Sequence, residues 1–320
     1  MPRPSYRMLF VMDPIEQEDV SGSTSLVFMN EAQARGHEVL ICEPEDLEVI
    51  DGRAAARVTP VTLKMEPGDP ATRGEPRTVM LDDAIDVAFQ RKDPPVDGAY
   101  VISTQIMGTC QRTLVLNDPR HILSFNEKLF ALHFPDLMAE TTVTRDMSVL
   151  RDFMARVGGE MIVKPLDGKG GEGIFHVHGG DRNLGSILEQ ASAFGTRWTM
   201  AQRYLPEVRN GDKRILLLEG EPIGAVLRVP AEAEVRANLH VGGRAAKTEL
   251  TPADRAIVER VGPVLREHGL FFVGIDVIGD KLTEINVTSP TGVQEVNALD
   301  GVRLEATFID AVERRLEARA

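Results

Sequence analysis

Val163-Lys164-Pro165-Leu166-Asp167-Gly168-Lys169-Gly170-Gly171-Glu172-Gly173 runs from an apolar strand straight into a loop with four glycines in six positions. Glycines there let backbone N–H groups approach phosphate oxygens with no Cβ in the way, and Lys164 adds a point charge at the strand end. A polyphosphate is the ligand this chemistry suits. The segment lacks the Gly-Lys-Ser/Thr that opens a helix in a P-loop, and it lacks Gly-x-Gly-x-x-Gly. Strand, loop and a second strand over Gly173 to Val177 predict a flap instead. With Thr141 to Thr144 and a helix from Ser148 to Val157, the flap forms a small α+β lid. A merely flexible hairpin is the plainer reading of clustered glycines, but the Lys-Pro pair ahead of them favours the phosphate reading.

Downstream, Phe272 to Val287 reads as a hairpin whose second strand carries Glu284 and Asn286 two residues apart, hence on one face. Their hard oxygens suit Mg²⁺. Asp276 joins them only in one register. A two-residue Gly279-Asp280 turn sets Asp276 opposite Thr283, whereas a three-residue loop, Gly279 to Lys281, sets it opposite Glu284. The three-residue loop is expected here. An ordinary exposed hairpin face is the plainer reading of these residues, but carboxylates on otherwise apolar strands are costly without a partner cation, which favours the metal.

Upstream, the apolar run Arg7 to Asp13, a helical pattern from Ser21 to Arg35 and a strand from His37 to Glu43 make a βαβ unit. Gly52 to Lys64 reads as a small excursion. Ile85 to Arg91 and Leu114 to Asn117 add strands with a helix between them, so an open parallel-sheet α/β domain closes near residue 120. Ligands of such sheets sit beyond the carboxyl ends of the strands, here Asp13-Pro14 and Arg91-Lys92-Asp93-Pro94-Pro95. Turn chemistry from Pro and Asp explains the same residues equally well. A helix from about His121 to His133 leads to the lid. Beyond Trp198 come antiparallel strands at Arg214 to Leu218 and Pro222 to Arg228, a helix from Pro252 to His268, and a last helix from Leu304 to Leu316.

Composition bounds the function classes. A chain of 320 residues with 42% apolar and 27% charged residues predicts two or three domains around separate cores, and no apolar run is long enough to span a bilayer. The N-terminus shows no export signal, and two cysteines, Cys42 and Cys110, are too few for a disulfide framework, so a cytoplasmic protein is expected. A net charge of -13 with no Lys/Arg-rich tract argues against broad nucleic-acid binding.

Lys128 in Asn126-Glu127-Lys128-Leu129, Lys164 with its glycine loop, and Asp276, Glu284 and Asn286 together resemble the ATP-grasp superfamily. More narrowly the chain is similar to the bacterial glutathione synthetases. That likeness runs nearly end to end, through Val11 to Ile15, Arg91 to Pro95, Met200 to Pro206, Gly211 to Arg214 and Leu282 to Thr291. It implies an ATP-grasp fold in three parts: an N-terminal substrate domain over 1–122, a central lid over 123–200 and a C-terminal antiparallel-sheet domain over 201–320. It implies an ATP-dependent ligase joining γ-glutamylcysteine and glycine through an acyl phosphate, acting as a homotetramer or dimer. Another carboxylate–amine pair, or a nucleotide-binding scaffold without chemistry, is the alternative.

The resemblance also implies roles for residues. Lys128 and Lys164 contact ATP phosphates, Gly168, Gly170 and Gly171 cover them, and Gln202, Tyr204, Leu205 and Asp212 complete the nucleotide site. Asp276, Glu284 and Asn286 hold two magnesium ions, with manganese able to replace them. Arg214, Arg228 and Arg236 neutralise the transferred phosphoryl group and substrate carboxylates, which a guanidinium grips with two parallel hydrogen bonds. Asp13, Arg91, Asn238, Gly242, Gly243, Ser289, Pro290 and Thr291 border the substrate pocket. Where the family often has Gly-Gly-Glu before the arginine of a closing loop, this chain reads Pro230-Ala231-Glu232-Ala233-Glu234-Val235-Arg236.

Overall fold

The computed structural model describes residues 5–168, 170–231 and 242–319. Its N-terminal sheet is built on β1 (Arg7–Val11) and β2 (Glu38–Cys42), joined by α1 (Thr24–Ala34) and paired in parallel from Arg7↔Glu38 to Val11↔Cys42. Ser23 starts α1 by accepting from the Leu26 amide, a cap on otherwise unpaired N–H groups. The expected excursion is different. After β3 (Leu47–Ile50), β4 (Arg53–Glu66) is a single strand of 14 residues that pairs antiparallel with β2, β3, β5 (Asp69–Arg73) and β6 (Arg77–Met80). Pro60 disguises it in sequence, since proline argues against a strand interior. Here β4 meets β2 only through Leu40↔Pro60 and Ile41↔Thr59. After α2 (Leu81–Ala84), β7 (Val87–Gln90) and β8 (Leu114–Leu116) extend the parallel part, with α3 (Gly98–Met107) between them.

The expected helix over 121–133 is broken into α4 (Pro119–Ser124) and α5 (Glu127–Phe130). Asn126 makes the break by capping α5, its Oδ1 accepting from the amides of Lys128 and Leu129 at 3.1 Å each. The lid follows: β9 (Thr141–Thr144), α6 (Met147–Arg156), β10 (Glu160–Pro165), β11 (Phe175–His178), α7 (Leu184–Ala191) and β12 (Thr199–Arg203), its sheet ordered β11-β10-β12-β9. β12 straddles the expected boundary at residue 200 and belongs to the lid sheet.

The third sheet contains β13 (Asp212–Leu218), β14 (Glu221–Val229) and β15 (Arg244–Lys247). After α8 (Pro252–Glu267), β16 (Phe272–Ile278) and β17 (Lys281–Asn286) complete it in the order β15-β14-β13-β16-β17. α9 (Val293–Asp300) and α10 (Leu304–Glu317) close the chain.

One of the cores is shared between parts of the chain rather than separate. The largest apolar cluster runs from β1, β7 and α1 into β13, β16, α9 and α10. Phe308 of α10 lies at its centre, stacked on Phe28 with ring centroids 3.8 Å apart and meeting Phe89, Phe271 and Phe272 at 5.5–5.6 Å. The lid keeps an apolar cluster of its own, and a further cluster stays within the N-terminal elements, on β1 to β4 with α2, β7 and α3. The first and third sheets are therefore packed on one another through a shared core, while the lid is packed around a core of its own. Among the described residues, no helix is long and apolar enough to cross a membrane.

Candidate active site

The hairpin of β16 and β17 departs from expectation in its turn and meets it in its outcome. Ile278 pairs with Lys281 and Val277 with Leu282, so the turn is the two-residue Gly279-Asp280 and not the three-residue loop. Gly279 alone takes a positive φ there, 62°, as glycine does at the first position of a II′ turn. A register shift then follows, Thr283 is the extra residue of a bulge, and Asp276 pairs with Glu284 after all. The Thr283 hydroxyl donates to the Asp276 carbonyl at 3.1 Å. Thus the bulge, rather than the loop, brings the carboxylates together.

Asp276 is buried and its carboxylate is gripped by arginines. Arg214 donates from Nε at 2.8 Å and from Nη2 at 2.7 Å, and Arg228 Nη2 lies 2.9 Å from Oδ2. Asn286 Nδ2 sits 3.3 Å from the same oxygen. Burial pushes the Asp276 carboxyl up, but the two guanidinium groups outweigh it and hold it well below the usual carboxylate range. Arg228 also meets Asp212 at 2.5 Å, and these two carboxylates overcome burial to raise its pKa. Because Arg228 is shared, Asp212 keeps less of it. Burial and the nearby Asp276 charge push Asp212 up to about 6. Gly274 lets Arg214 lie flat, since a Cβ there would stand 3.1 Å from Pro290 Cβ and 3.4 Å from Arg214 Nε.

Glu284 is served by lysines at longer range. Its Oε1 lies 3.6 Å from Lys128 Nζ and 3.5 Å from Lys164 Nζ. Burial again raises this carboxyl, and the lysines more than reverse it. Lys164, rising from the end of β10, is buried and pushed down by desolvation, with Glu284 opposing. Lys128 donates to the Gly168 carbonyl at 2.8 Å, tying α5 to the glycine loop. Gly168 cannot carry a side chain, because a Cβ would meet Pro165 Cγ at 2.8 Å. Gly170 and Gly171 both have positive φ, 61° and 87°. The expected phosphate contacts thus share one corner with the expected metal face, although Asp276 is already committed to arginines. Among the described residues no three His, Cys, Asp or Glu side chains form a closed metal cage. Hard oxygens of Glu284, Asn286 and Asp276 fit an ion that arrives on nucleotide phosphates, as Mg²⁺ does, keeping few protein ligands.

The other expected residues fall into two groups. Gln202 is buried in β12 and donates to Thr141 Oγ1 at 3.0 Å, so its side chain is spent inside the lid sheet. Tyr204 stacks on His176 at 3.9 Å, and with Leu205 it lines a cleft beside Gly158 and Glu160. Beyond the ends of β1 and β7, Asp13 pairs with Lys92 at 2.7 Å and accepts from the Asp93 amide at 3.0 Å. Arg91 donates to Ser25 Oγ at 3.0 Å and to the Pro290 carbonyl at 3.2 Å, bridging the first and third sheets. Ser289 donates to Asp93 at 2.6 Å, so the segment Ser289, Pro290 and Thr291 borders the same corner. Burial lowers the Arg91 pKa, with Asp93 and Glu18 opposing. Gly242 and Gly243 precede β15, and Arg236 and Asn238 lie outside the described residues.

Sequence reasoning passed over two residues here. Asn117 donates to the carbonyls of Phe272 at 3.0 Å and Val287 at 2.7 Å, pinning both strands of the hairpin to β8. Glu127 accepts from the amides of Val287 and Thr288. Only the Asn126 cap could have been read locally, from an asparagine three residues before an apolar pair.

A hairpin flap rooted in a lysine, set against carboxylates on an antiparallel sheet, defines the protein as an ATP-grasp ligase in class. The fold of the D-cycloserine synthetase DcsG superimposes with a TM-score of 0.67 at 14% identity, over 97% of this chain and 99% of that one. The ATP-grasp ligase PsnB, complexed with minimal precursor, Mg and ADP, gives 0.61 at 16% identity over 99% of each. Family models for the N-terminal domain and the ATP-grasp domain of prokaryotic glutathione synthetase match residues 6–122 and 127–301. The glutathione synthetase of Gloeobacter violaceus is 50% identical over 312 residues, 95% of both chains, and that of Brucella melitensis 47% over 305 residues, 95% of this chain and 97% of the other. The chain belongs to the prokaryotic glutathione synthetase family.

Proposed function

We propose that this chain couples conversion of ATP to ADP and phosphate to amide-bond formation between γ-glutamylcysteine and glycine, giving glutathione. The observation that carries the reading is the end-to-end match to relatives named glutathione synthetase, at up to 50% identity. The family likeness implies its chemistry. A carboxylate oxygen of the cysteine attacks the γ-phosphorus and ADP leaves. The resulting acyl phosphate is attacked at its carbonyl carbon by the neutral glycine amine, and phosphate departs from the tetrahedral intermediate. No side-chain nucleophile is needed, so the site works by positioning and by neutralising oxyanions.

In this reading Lys128 and Lys164 take the β- and γ-phosphates, with Gly168 to Gly171 closing over them. Arg214 and Arg228 face the transferred phosphoryl group, already held at fixed geometry by Asp276 and Asp212. Arg91 and the Ser289 to Thr291 segment meet the peptide substrate at the junction of the first and third sheets. Magnesium, two ions in this reading and replaceable by manganese, would be held by Glu284, Asn286 and Asp276 and would neutralise phosphate charge. The reading also has the chain working in the cytoplasm as a homotetramer or dimer, which light scattering on the purified protein tests.

The deciding experiment is phosphate release from Mg-ATP with γ-glutamylcysteine and glycine, omitting each in turn. Release that needs both is expected. Release only with another acid and amine would overturn the substrate pair and keep the ligase, whereas nucleotide binding with no release on any pair would overturn the ligase.

A further inference from the structure

Three consecutive residues, Asn126, Glu127 and Lys128, tie one short helix to three walls of the site. Asn126 donates from Nδ2 to the Leu166 carbonyl at 3.0 Å, at the root of the glycine loop. Lys128 reaches Gly168 and Glu284. Glu127 points the other way: one oxygen, Oε1, accepts from the Val287 amide at 3.0 Å, the Thr288 amide at 3.1 Å and the Thr288 hydroxyl at 2.8 Å. Those two amides sit where the chain leaves β17. Behind them are Glu284 and Asn286, and ahead are Ser289, bonded to Asp93, and Pro290, bonded to Arg91.

We propose that Glu127 is a positioning residue for the ligation, fixing the Val287–Thr288 corner so that the substrate-bordering segment 289–291 stays in register with Lys128 and Glu284. The proposal rests on the reading of the site given above. A carboxylate is suited to the task, because one anionic oxygen can take three donors that a neutral carbonyl would hold more weakly. The energetic case is that a half-buried carboxyl would be costly without partners, and the hydrogen bonds it accepts among the described residues come from the corner it holds. The role differs from simple core packing: it acts on one exit of one strand, and that exit carries the contacts to Asp93 and Arg91.

The test combines steady-state kinetics with amide hydrogen exchange on the nucleotide-free full chain. Glu127→Ala should speed exchange at Val287 and Thr288 while leaving the β16–β17 ladder protected. It should raise KM for γ-glutamylcysteine about tenfold or more, as a misplaced segment does, with KM for ATP close to wild type. Glu127→Gln, whose amide oxygen can still accept, should recover most of the loss. Thr288→Val removes only the hydroxyl donor and should show the same split at smaller size, which keeps the test decisive if Glu127→Ala does not fold. Unchanged exchange at 287–288, or equal rises in both KM values, overturns the proposal. If wild type turns over a different acid and amine, the exchange measurement still decides the role of Glu127, and the kinetic split is read on that acid.

Discussion

Arg214 and Lys164 stand on facing sheets and both meet a carboxylate of the same hairpin, yet they are held in opposite ways. Arg214 is locked onto Asp276 by two bonds of 2.7–2.8 Å, with Arg228 completing the group. Lys164 and Lys128 stay 3.5–3.6 Å from Glu284, whose side chain keeps 21% of its surface exposed. The arginine half is closed upon itself and rigid. The lysine half is looser: two ammonium groups share one Glu284 oxygen, and Lys128 also donates to the Gly168 carbonyl. Guanidinium suits the first task because its fork fits a carboxylate, and ammonium suits the second because it is a compact charge on a flexible stem. The lid carries Lys164 and has its own core, whereas Arg214 sits in the body that shares Phe308.

This contrast can be broken at its strongest point first. Glu284→Gln removes the carboxylate that both lysines face, and turnover should fall about a thousandfold or more, the scale of losing a preorganised electrostatic group. The melting temperature should stay near wild type, and near-normal turnover would refute the lysine half. Arg214→Met should do the reverse in stability, because Asp276 is left with one arginine instead of two. Urea unfolding should show a loss of about 3 kcal/mol, at the low end for breaking a buried pair. By contrast Lys164→Met should stay within about 1 kcal/mol of wild type while losing activity. Equal stability losses in these two variants would erase the distinction between the halves.

The smallest effect concerns Asp212, the carboxylate that Arg228 serves second. Its folded-state pKa is raised to about 6, above the ordinary carboxylate value near 3.9. The folded protein therefore binds this proton more readily than the unfolded chain, so its stability contribution is full below about pH 4 and is lost as pH rises through about 6. In the nucleotide-free protein, the melting temperature of wild type relative to Asp212→Asn should fall across that window and level off above it. A flat difference would mean that Arg228 neutralises both carboxylates equally.

Much of the site could be read locally. The glycine loop after Lys164, the Glu284/Asn286 pair on one strand face and the parallel sheet through β1, β2, β7 and β8 all follow from short-range periodicity and residue chemistry. Other features could not. The bulge at Thr283 leaves no mark in the hairpin sequence, because a two-residue turn with one extra residue places Asp276 as a three-residue loop would. β4 was obscured by Pro60, whose acceptability depends on which neighbour needs its missing N–H.

The sequence by itself determined the chemistry: lysines beside a glycine loop, hard oxygens on a hairpin, and arginines nearby, each fixed by residue type and by spacing along one strand. Tertiary structure alone decided the partners. That Arg228 divides itself between Asp212 and Asp276, that Glu127 holds the exit of β17 from 160 residues away in sequence, and that Phe308 fuses the first sheet to the third are long-range pairings. Local backbone preference cannot specify such pairings, because they exist only when separate elements are packed together and the buried polar groups at their junctions must find donors.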